Sequence, residues 1–174
     1  MNKWAAFAPL AALGLVVLVS AFLLLRGSER ELFETGLVGR PAPAYALEQL
    51  GGGAPVTGEA RRGRAYVINL FASWCTPCRA EHPELVKLQQ QGVEIVGVAY
   101  KDRPENAARF LEQLGNPFAA VALDPAGRFG LEMGVAGVPE TFVIGADGVV
   151  RAAHRGPLTA DIVRDVIEPA LTAR

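Results

Sequence analysis

Cys75 and Cys78 are the only two cysteines in this chain of 174 residues, and two residues separate them. Thiols at positions i and i+3 in the first turn of a helix face the same way and lie close enough to form a disulfide. The positive end of the helix dipole stabilises the thiolate of the first cysteine, which is the species that attacks disulfides. The spacing therefore predicts thiol–disulfide exchange with Cys75 as the nucleophile. Cys78 would then attack the mixed disulfide and release the product.

Three other uses of a cysteine pair are weaker. A structural disulfide across so short a loop restricts the unfolded chain little. Covalent haem attachment needs histidine directly after the second cysteine, where this chain has Arg79. A closed zinc site wants four ligands, and Cys75, Cys78 and His82 are three, with His154 the only other histidine. We expect no resident metal or cofactor, and a metal or haem chaperone that uses these three side chains remains an alternative.

The cysteines lie where a predicted strand passes into a predicted helix. Residues 65–72 and 93–100 are short, nearly continuous apolar runs, typical of central strands that are buried on both faces of a sheet. Residues 77–91 between them carry Leu85 and Leu88 at helical spacing and end before a glycine. These three segments predict one βαβ unit with the cysteines at the carboxyl end of its first strand.

The rest of the chain completes an α/β sandwich around a mixed sheet. The further predicted elements are a helix at 104–114, a strand at 121–123, strands at 141–144 and 149–152, and a helix from 159 to about 168. Asp147-Gly148, between the last two strands, is a dipeptide preferred in tight antiparallel hairpins.

The amino-terminal segment is predicted to be a membrane anchor. Residues 4–25 contain no charged side chain and are long enough to span a bilayer core of ~30 Å. A cleaved signal peptide is the competing interpretation, but the apolar run continues past the small residues at 19–21. We predict an uncleaved anchor at residues 1–26, a tether at 27–37 and one domain at 38–174, and basic residues on both sides of the anchor leave its orientation open.

Composition excludes two further classes. The net charge of −1, with 17 Lys and Arg against 18 Asp and Glu, gives no basic surface for nucleic acid, so no such partner is predicted. Two cysteines are too few for a disulfide-dense scaffold.

Longer stretches around the cysteines resemble a known family. Residues 69–82 (NLFASWCTPCRAEH) and 134–142 (GVAGVPETF), with 100–102 (YKD) and 114–117 (LGNP), are similar to the CcmG/DsbE branch of the thioredoxin superfamily. The resemblance implies a thioredoxin-like three-layer sandwich behind an N-terminal transmembrane helix, held at the bacterial inner membrane and facing the periplasm. It implies a dithiol reductant of the CxxCH cysteines of apocytochrome c, or of a maturation partner, which a transmembrane thiol donor of the DsbD/CcdA kind recharges.

A general oxidase or isomerase of the same fold is the enzymatic alternative. The direction of electron flow depends on the reduction potential, which spans about −270 to −120 mV among proteins of this type.

The resemblance also assigns roles to individual residues. It makes Val138–Pro139 a cis peptide bond beside the cysteines, where backbone groups pair with an extended substrate chain. The substrate groove is expected to include Trp74, Thr76, Pro77, Tyr100, Asp102 and Val138, with Trp74 shielding the disulfide.

The sequence offers two candidates for the residue that accepts the proton of Cys78. Asn69 stands where typical thioredoxins carry a buried aspartate that assists proton transfer. Glu81, three residues after Cys78, and Glu140, directly after Pro139, are the candidates for the base that serves Cys78. The competing interpretations are an exposed helix charge for Glu81 and a solvated loop charge for Glu140. His82 is expected to be structural.

Overall fold

The computed structural model describes residues 14–16, 18–20 and 36–173. The chain divides into two units, Met1–Leu32 and Phe33–Arg174. In the first unit, residues 14–16 and 18–20 are helical, and most of the predicted anchor and tether lies outside the described residues. Within the part of the chain that is described, no helix combines the length and hydropathy needed to cross a bilayer.

A five-stranded mixed sheet forms the centre of the second unit. Its strands are β3 (Tyr66–Phe71), β4 (Ile95–Tyr100), β5 (Ala120–Asp124), β6 (Glu140–Ile144) and β7 (Val150–Arg155), and a separate antiparallel pair precedes it, β1 (Ala46–Leu47) with β2 (Val56–Thr57). The order across the sheet is β5-β4-β3-β6-β7. β3, β4 and β5 run parallel, whereas β6 and β7 pair antiparallel. The predicted α/β fold with a mixed sheet is therefore confirmed, and every residue of β3 and β4 is buried, as expected of central strands.

Helices cover both faces of this sheet. They are α1 (Thr76–Gln90), α2 (Pro104–Leu114), the short α3 (Arg128–Glu132) and a C-terminal helix built from Ala160–Ile162, a π-helical segment Val163–Ile167 and Glu168–Thr172. α1, α2 and the C-terminal helix enclose one core with Phe71 of β3. α3 and the β1–β2 pair enclose the other core with Leu70, since successive strand residues point to opposite faces. The result is a three-layer arrangement.

Helix α1 starts where the sequence indicates. Cys75 is its N-cap residue, and Pro77 lies in the first turn, where its missing N–H breaks no hydrogen bond of the helix. Pro83 lies farther inside the helix. The junction between β3 and α1 therefore places both cysteines beyond the carboxyl end of the central strand.

Several short features differ from the sequence predictions. β1, β2 and α3 are absent from them, and the C-terminal helix continues beyond residue 168 to Thr172. The hairpin between β6 and β7 is wider than a two-residue turn: Gly148 donates its N–H to the carbonyl of Gly145 at 2.8 Å. Of Asp147 and Gly148, only the glycine has a positive φ, whereas the tight type I′ turn requires it at both positions.

Candidate functional site

Cys75 and Cys78 form a disulfide at the start of α1. The two Cα atoms are 5.3 Å apart, and the side chains are almost fully buried, 4% and 1% exposed. The backbone N–H of Cys78 donates to Cys75 Sγ at 3.1 Å. Once the disulfide is reduced, this N–H and the helix dipole stabilise negative charge on Cys75 more than on Cys78. The geometry thus suits Cys75 as the attacking sulfur.

The loop before β6 lies against the first cysteine. The Val138–Pro139 peptide bond is cis, as the family resemblance implies. The carbonyl oxygen of Val138 is 3.5 Å from Cys75 Sγ. Pro139 is buried and Val138 half-buried, so this loop forms one wall beside the reactive sulfur.

Glu81 is a fully buried carboxyl and not a surface charge. Its Oε1 accepts a hydrogen bond from Asn69 Nδ2 at 2.9 Å, and its Oε2 accepts one from the backbone N–H of Leu158 at 2.9 Å. Desolvation raises the pKa of Glu81 to about 7, although both hydrogen bonds favour the ionised form. A carboxyl that titrates near neutral pH, three residues after Cys78, is suited to accepting its proton.

Asn69 joins this carboxyl to the sheet. Its Nδ2 also donates to Thr141 Oγ1 at 3.0 Å, since Asn69 and Thr141 are cross-strand partners on β3 and β6. Its Oδ1 is buried and has no hydrogen-bond partner among the described residues. An amide offers both a donor and an acceptor, so a rotated Asn69 side chain can accept a hydrogen bond from protonated Glu81.

Sequence reasoning did not find two of these contacts. Thr141 lies inside the Pro-Glu-Thr-Phe stretch already singled out, and its place beside Asn69 follows only from strand register. Leu158 contributes a backbone N–H, so no side-chain pattern could have revealed it.

Glu140 is buried in a different environment, 2% exposed. Its Oε1 accepts from the backbone N–H of Ala136 at 2.9 Å and lies 3.2 Å from Arg155 Nε. Burial raises the pKa of Glu140, whereas the Ala136 N–H and the Arg155 charge act to lower it. Glu140 therefore braces the loop that carries Pro139 and is already paired with a cation.

Asp102 fixes the segment that leads into the cysteines. This buried carboxylate accepts from the Ser73 backbone N–H at 2.6 Å, from Ser73 Oγ at 3.0 Å and from the Arg103 N–H at 2.8 Å. The structure therefore places Asp102 behind the rim of the site, as a support of the Ser73-Trp74 turn. Tyr100, also predicted for the groove, is a buried core residue whose ring lies against Gly130.

The exposed rim consists of Trp74, Thr76 and Pro77. Trp74 is 59% exposed, and its Nε1 donates to the carbonyl of Lys101 at 3.3 Å. The indole is thus tethered at its nitrogen while much of the side chain remains accessible to a docking protein. Its expected role as a shield for the disulfide stays a prediction.

His82 has a structural position. It is 4% exposed, its Nε2 is 3.0 Å from the carbonyl oxygen of Gly115, and its ring meets Phe110 edge-on. Burial lowers the pKa of this imidazole. Among the residues that the structure describes, no three His, Cys, Asp or Glu side chains are grouped to hold a metal ion.

Comparisons with known proteins agree with this geometry. The family model described as Redoxin matches residues 37–168. The chain is 42% identical over 168 residues to the thiol:disulfide interchange protein HelX of Rhodobacter capsulatus, covering 94% of this chain and 96% of that protein. It is 38% identical over 145 residues to DsbE of Escherichia coli K12, covering 82% and 78%. A crystal structure of a thiol:disulfide interchange protein of the thioredoxin family from Chlorobium tepidum matches with a TM-score of 0.63 and 32% identity, covering 75% of this chain and 95% of that one.

Proposed function

We propose a function from one premise: the chain belongs to the redoxin family, and within it to the CcmG/DsbE type of thiol:disulfide interchange protein. It is a thiol:disulfide oxidoreductase. We infer that it works as a reductant in the bacterial periplasm. Its substrate is the disulfide between the CxxCH cysteines of apocytochrome c, or a disulfide of a partner in cytochrome c maturation.

The single observation that carries this proposal is the buried disulfide whose first sulfur faces the Val138 carbonyl. In the reduced protein, the Cys75 thiolate attacks one sulfur of the partner's disulfide, and the other partner sulfur leaves as a thiolate. Cys78 then attacks the Cys75 sulfur, which breaks the mixed disulfide. Two electrons have moved to the partner, which leaves as a dithiol, and the Cys75–Cys78 bond of the structure has formed.

Cys78 must lose its proton before it attacks. We assign this proton to Glu81, because Glu81 lies on the same helix three residues on, and its pKa of about 7 matches the working pH. Glu140, paired with Arg155, acts instead by holding the Pro139 loop in place.

The partner binds as an extended chain along the loop. Pro139 has no N–H, so the backbone of Val138 is the nearest part of the loop that can pair with it. Trp74, Thr76 and Pro77 supply the opposite, exposed rim. The substrate's cysteine is then delivered to the one sulfur that lies between these two walls.

The proposed location follows from the amino-terminal segment. Residues 1–26 anchor the protein in the inner membrane, 27–37 are the tether, and the redox domain at 38–174 stays next to its partners. A transmembrane thiol donor of the DsbD/CcdA kind returns two electrons to the disulfide. The sulfur pair stores these electrons itself, so the reaction requires no cofactor.

The direction of electron flow is tested by a redox titration. The full chain is equilibrated with glutathione buffers, its thiols are trapped, and the reduced fraction gives the reduction potential. We expect a value toward the reducing end of the range of about −270 to −120 mV. A potential near the oxidising end would contradict the reductant role and favour the oxidase or isomerase alternative.

The identity of the partner is tested by trapping its mixed disulfide with Cys75. A Cys78→Ser variant cannot resolve the mixed disulfide, so partners should accumulate on Cys75 and be identified by mass spectrometry as c-type apocytochromes or maturation proteins. The Cys75→Ser variant is the control and should capture nothing. Recovery of no adducts on Cys75 would contradict the proposed order of attack.

A further inference from the structure

An open surface cavity of about 210 Å³ lies between the start of α1 and α2. Its lining residues are Ser73, Arg79, Asn106, Arg109, Phe110 and Gln113. Ser73 is two residues before Cys75, and Arg79 directly follows Cys78. The lining contains two cationic groups and several neutral donors, and it contains no carboxylate.

The Arg79 side chain is positioned for a ligand. Its guanidinium carbon lies 5.0 Å from the centroid of the Phe110 ring, a cation–π contact that fixes the side chain. The Arg79 guanidinium makes no hydrogen bond or ion pair with any residue that the structure describes. Its planar set of N–H donors, which matches the geometry of a carboxylate, is therefore available.

Arg109 supplies the second cation, from helix α2. Its Nη2 donates to Asn106 Oδ1, which holds the side chain at the cavity without neutralising its charge. Among the described residues, no carboxylate forms an ion pair with Arg109. Two guanidinium groups that share a cavity repel each other, and one bound anion would convert this repulsion into two charge-assisted interactions.

We propose that the Arg79–Arg109 cavity is a carboxylate-binding subsite, occupied by an acidic side chain of the protein that exchanges with Cys75. Charge complementarity identifies the chemistry of the occupant. Its source is argued from the lining, because Ser73 and Arg79 lie within two residues of the cysteines in sequence, close to where a partner polypeptide must dock. The inference rests on the proposed exchange with a protein partner, and it makes acidic residues near the substrate's cysteines a determinant of partner choice.

Other cations near the site require a control. Lys101, Arg103 and Arg128 are also exposed, and Gly127, beside Arg128, lies against the Lys101 side chain. A generally basic surface would attract acidic partners at long range without any defined subsite. The test must therefore separate the loss of two arginines that line the cavity from the loss of two arginines elsewhere on this surface.

The experiment compares two peptides that each contain one CxxC disulfide. They carry either Glu or Gln at the positions flanking the cysteines and are otherwise identical. The fully reduced full chain is mixed with each peptide, and the second-order rate constant for disulfide reduction is measured. For the unaltered protein we expect the Glu peptide to react roughly tenfold faster, the effect of one charge-assisted hydrogen bond.

Two double variants distinguish the subsite from the general field. Arg79→Gln with Arg109→Gln should reduce the Glu-to-Gln rate ratio to about one. Arg103→Gln with Arg128→Gln removes the same charge outside the cavity and should retain most of the preference. Because each result is a ratio for one protein, any effect of Arg79 on the sulfurs themselves cancels.

The proposal is overturned by equal rates for the two peptides, by a preference that survives in the Arg79/Arg109 variant, or by an equal loss in both double variants. Failure of the proposed exchange is recognised separately, because then neither peptide is reduced. In that case, peptides with serine in place of both cysteines decide the matter. In NMR spectra, binding of the serine peptide that carries Glu must shift the Nε–H resonances of Arg79 and Arg109. Absence of that shift overturns the proposed subsite.

Discussion

Replacement of Glu81 by Gln should change how stability depends on pH. The folded protein holds the Glu81 proton up to a pKa of about 7, compared with an ordinary value of 4.5. Between these values the unfolded chain releases the proton and the folded chain retains it, so the free energy of unfolding falls as the pH rises. At about 1.4 kcal/mol per pH unit, this cost reaches about 3 kcal/mol above pH 7 and is absent below about pH 4.5. The side chain is fully buried, so water does not screen the effect.

The measurement is urea unfolding of the oxidised chain, followed by circular dichroism, from pH 4 to 8. In the oxidised form neither cysteine titrates. The free energy of unfolding of the unaltered protein, minus that of Glu81→Gln, should decrease by about 3 kcal/mol between pH 4.5 and 7. His82, His154 and Glu140, whose pKa values are also shifted by burial, contribute equally to both proteins and cancel.

The Gln side chain places an amide nitrogen against one of two hydrogen-bond donors, since Asn69 and Leu158 both donate to Glu81. This lowers stability by the same amount at every pH and leaves the slope unaffected. Glu112→Gln, on the exposed face of α2, is the matched control and should give a flat difference. A difference between the unaltered protein and Glu81→Gln that stays constant over this pH range would refute the assignment.

Substitutions at two more positions, Glu140 and Asp102, probe the surroundings of the disulfide. Glu140→Gln should slow exchange near neutral pH by less than about tenfold, as expected for one lost charged hydrogen bond. The inflection of the pH–rate profile near pH 7 should remain in this variant, because Glu81 produces it. If Glu140→Gln removes the inflection and Glu81→Gln does not, Glu140 and not Glu81 is the proton acceptor. Asp102→Ala leaves the N–H groups of Ser73 and Arg103 without their acceptor, so the free energy of unfolding should fall by about 2 kcal/mol. Asp102→Asn keeps one acceptor oxygen, so its free energy of unfolding, measured by urea titration, should lie between those of the unaltered protein and Asp102→Ala. An Ala variant as stable as the unaltered protein would contradict the supporting role of Asp102.

Much of the scaffold could be predicted because residues at the ends of its helices and strands indicate where these elements begin and end. Pro104 and Gly115 mark both ends of α2, and the predicted range agrees with the structure. The long apolar runs of β3 and β4 likewise indicate burial on both faces. β1, β2 and α3 have two to five residues each, too few for any periodicity to develop.

The electrostatics of the site could be predicted only in part. The sequence alone leaves Glu81 equally compatible with an exposed helix face, and its burial depends on Asn69, a strand away, and on Leu158, 77 positions later. The same limit applies to two residues predicted for the groove: Tyr100 is buried in the core, and Asp102 is a buried carboxylate that accepts from the Ser73 N–H. Contacts made by tertiary packing or by the main chain carry no local signature.

The N–H of Leu158 links Glu81 to the segment that follows β7. A chain cut after β7 would keep both sulfurs, the cis-proline loop and all five strands of the sheet, yet Glu81 would lose one of its two donors and the C-terminal helix that packs over this face. Water would then reach the carboxyl and bring its titration back toward that of a free glutamate. A protein truncated after β7 would therefore have altered proton chemistry while retaining its disulfide.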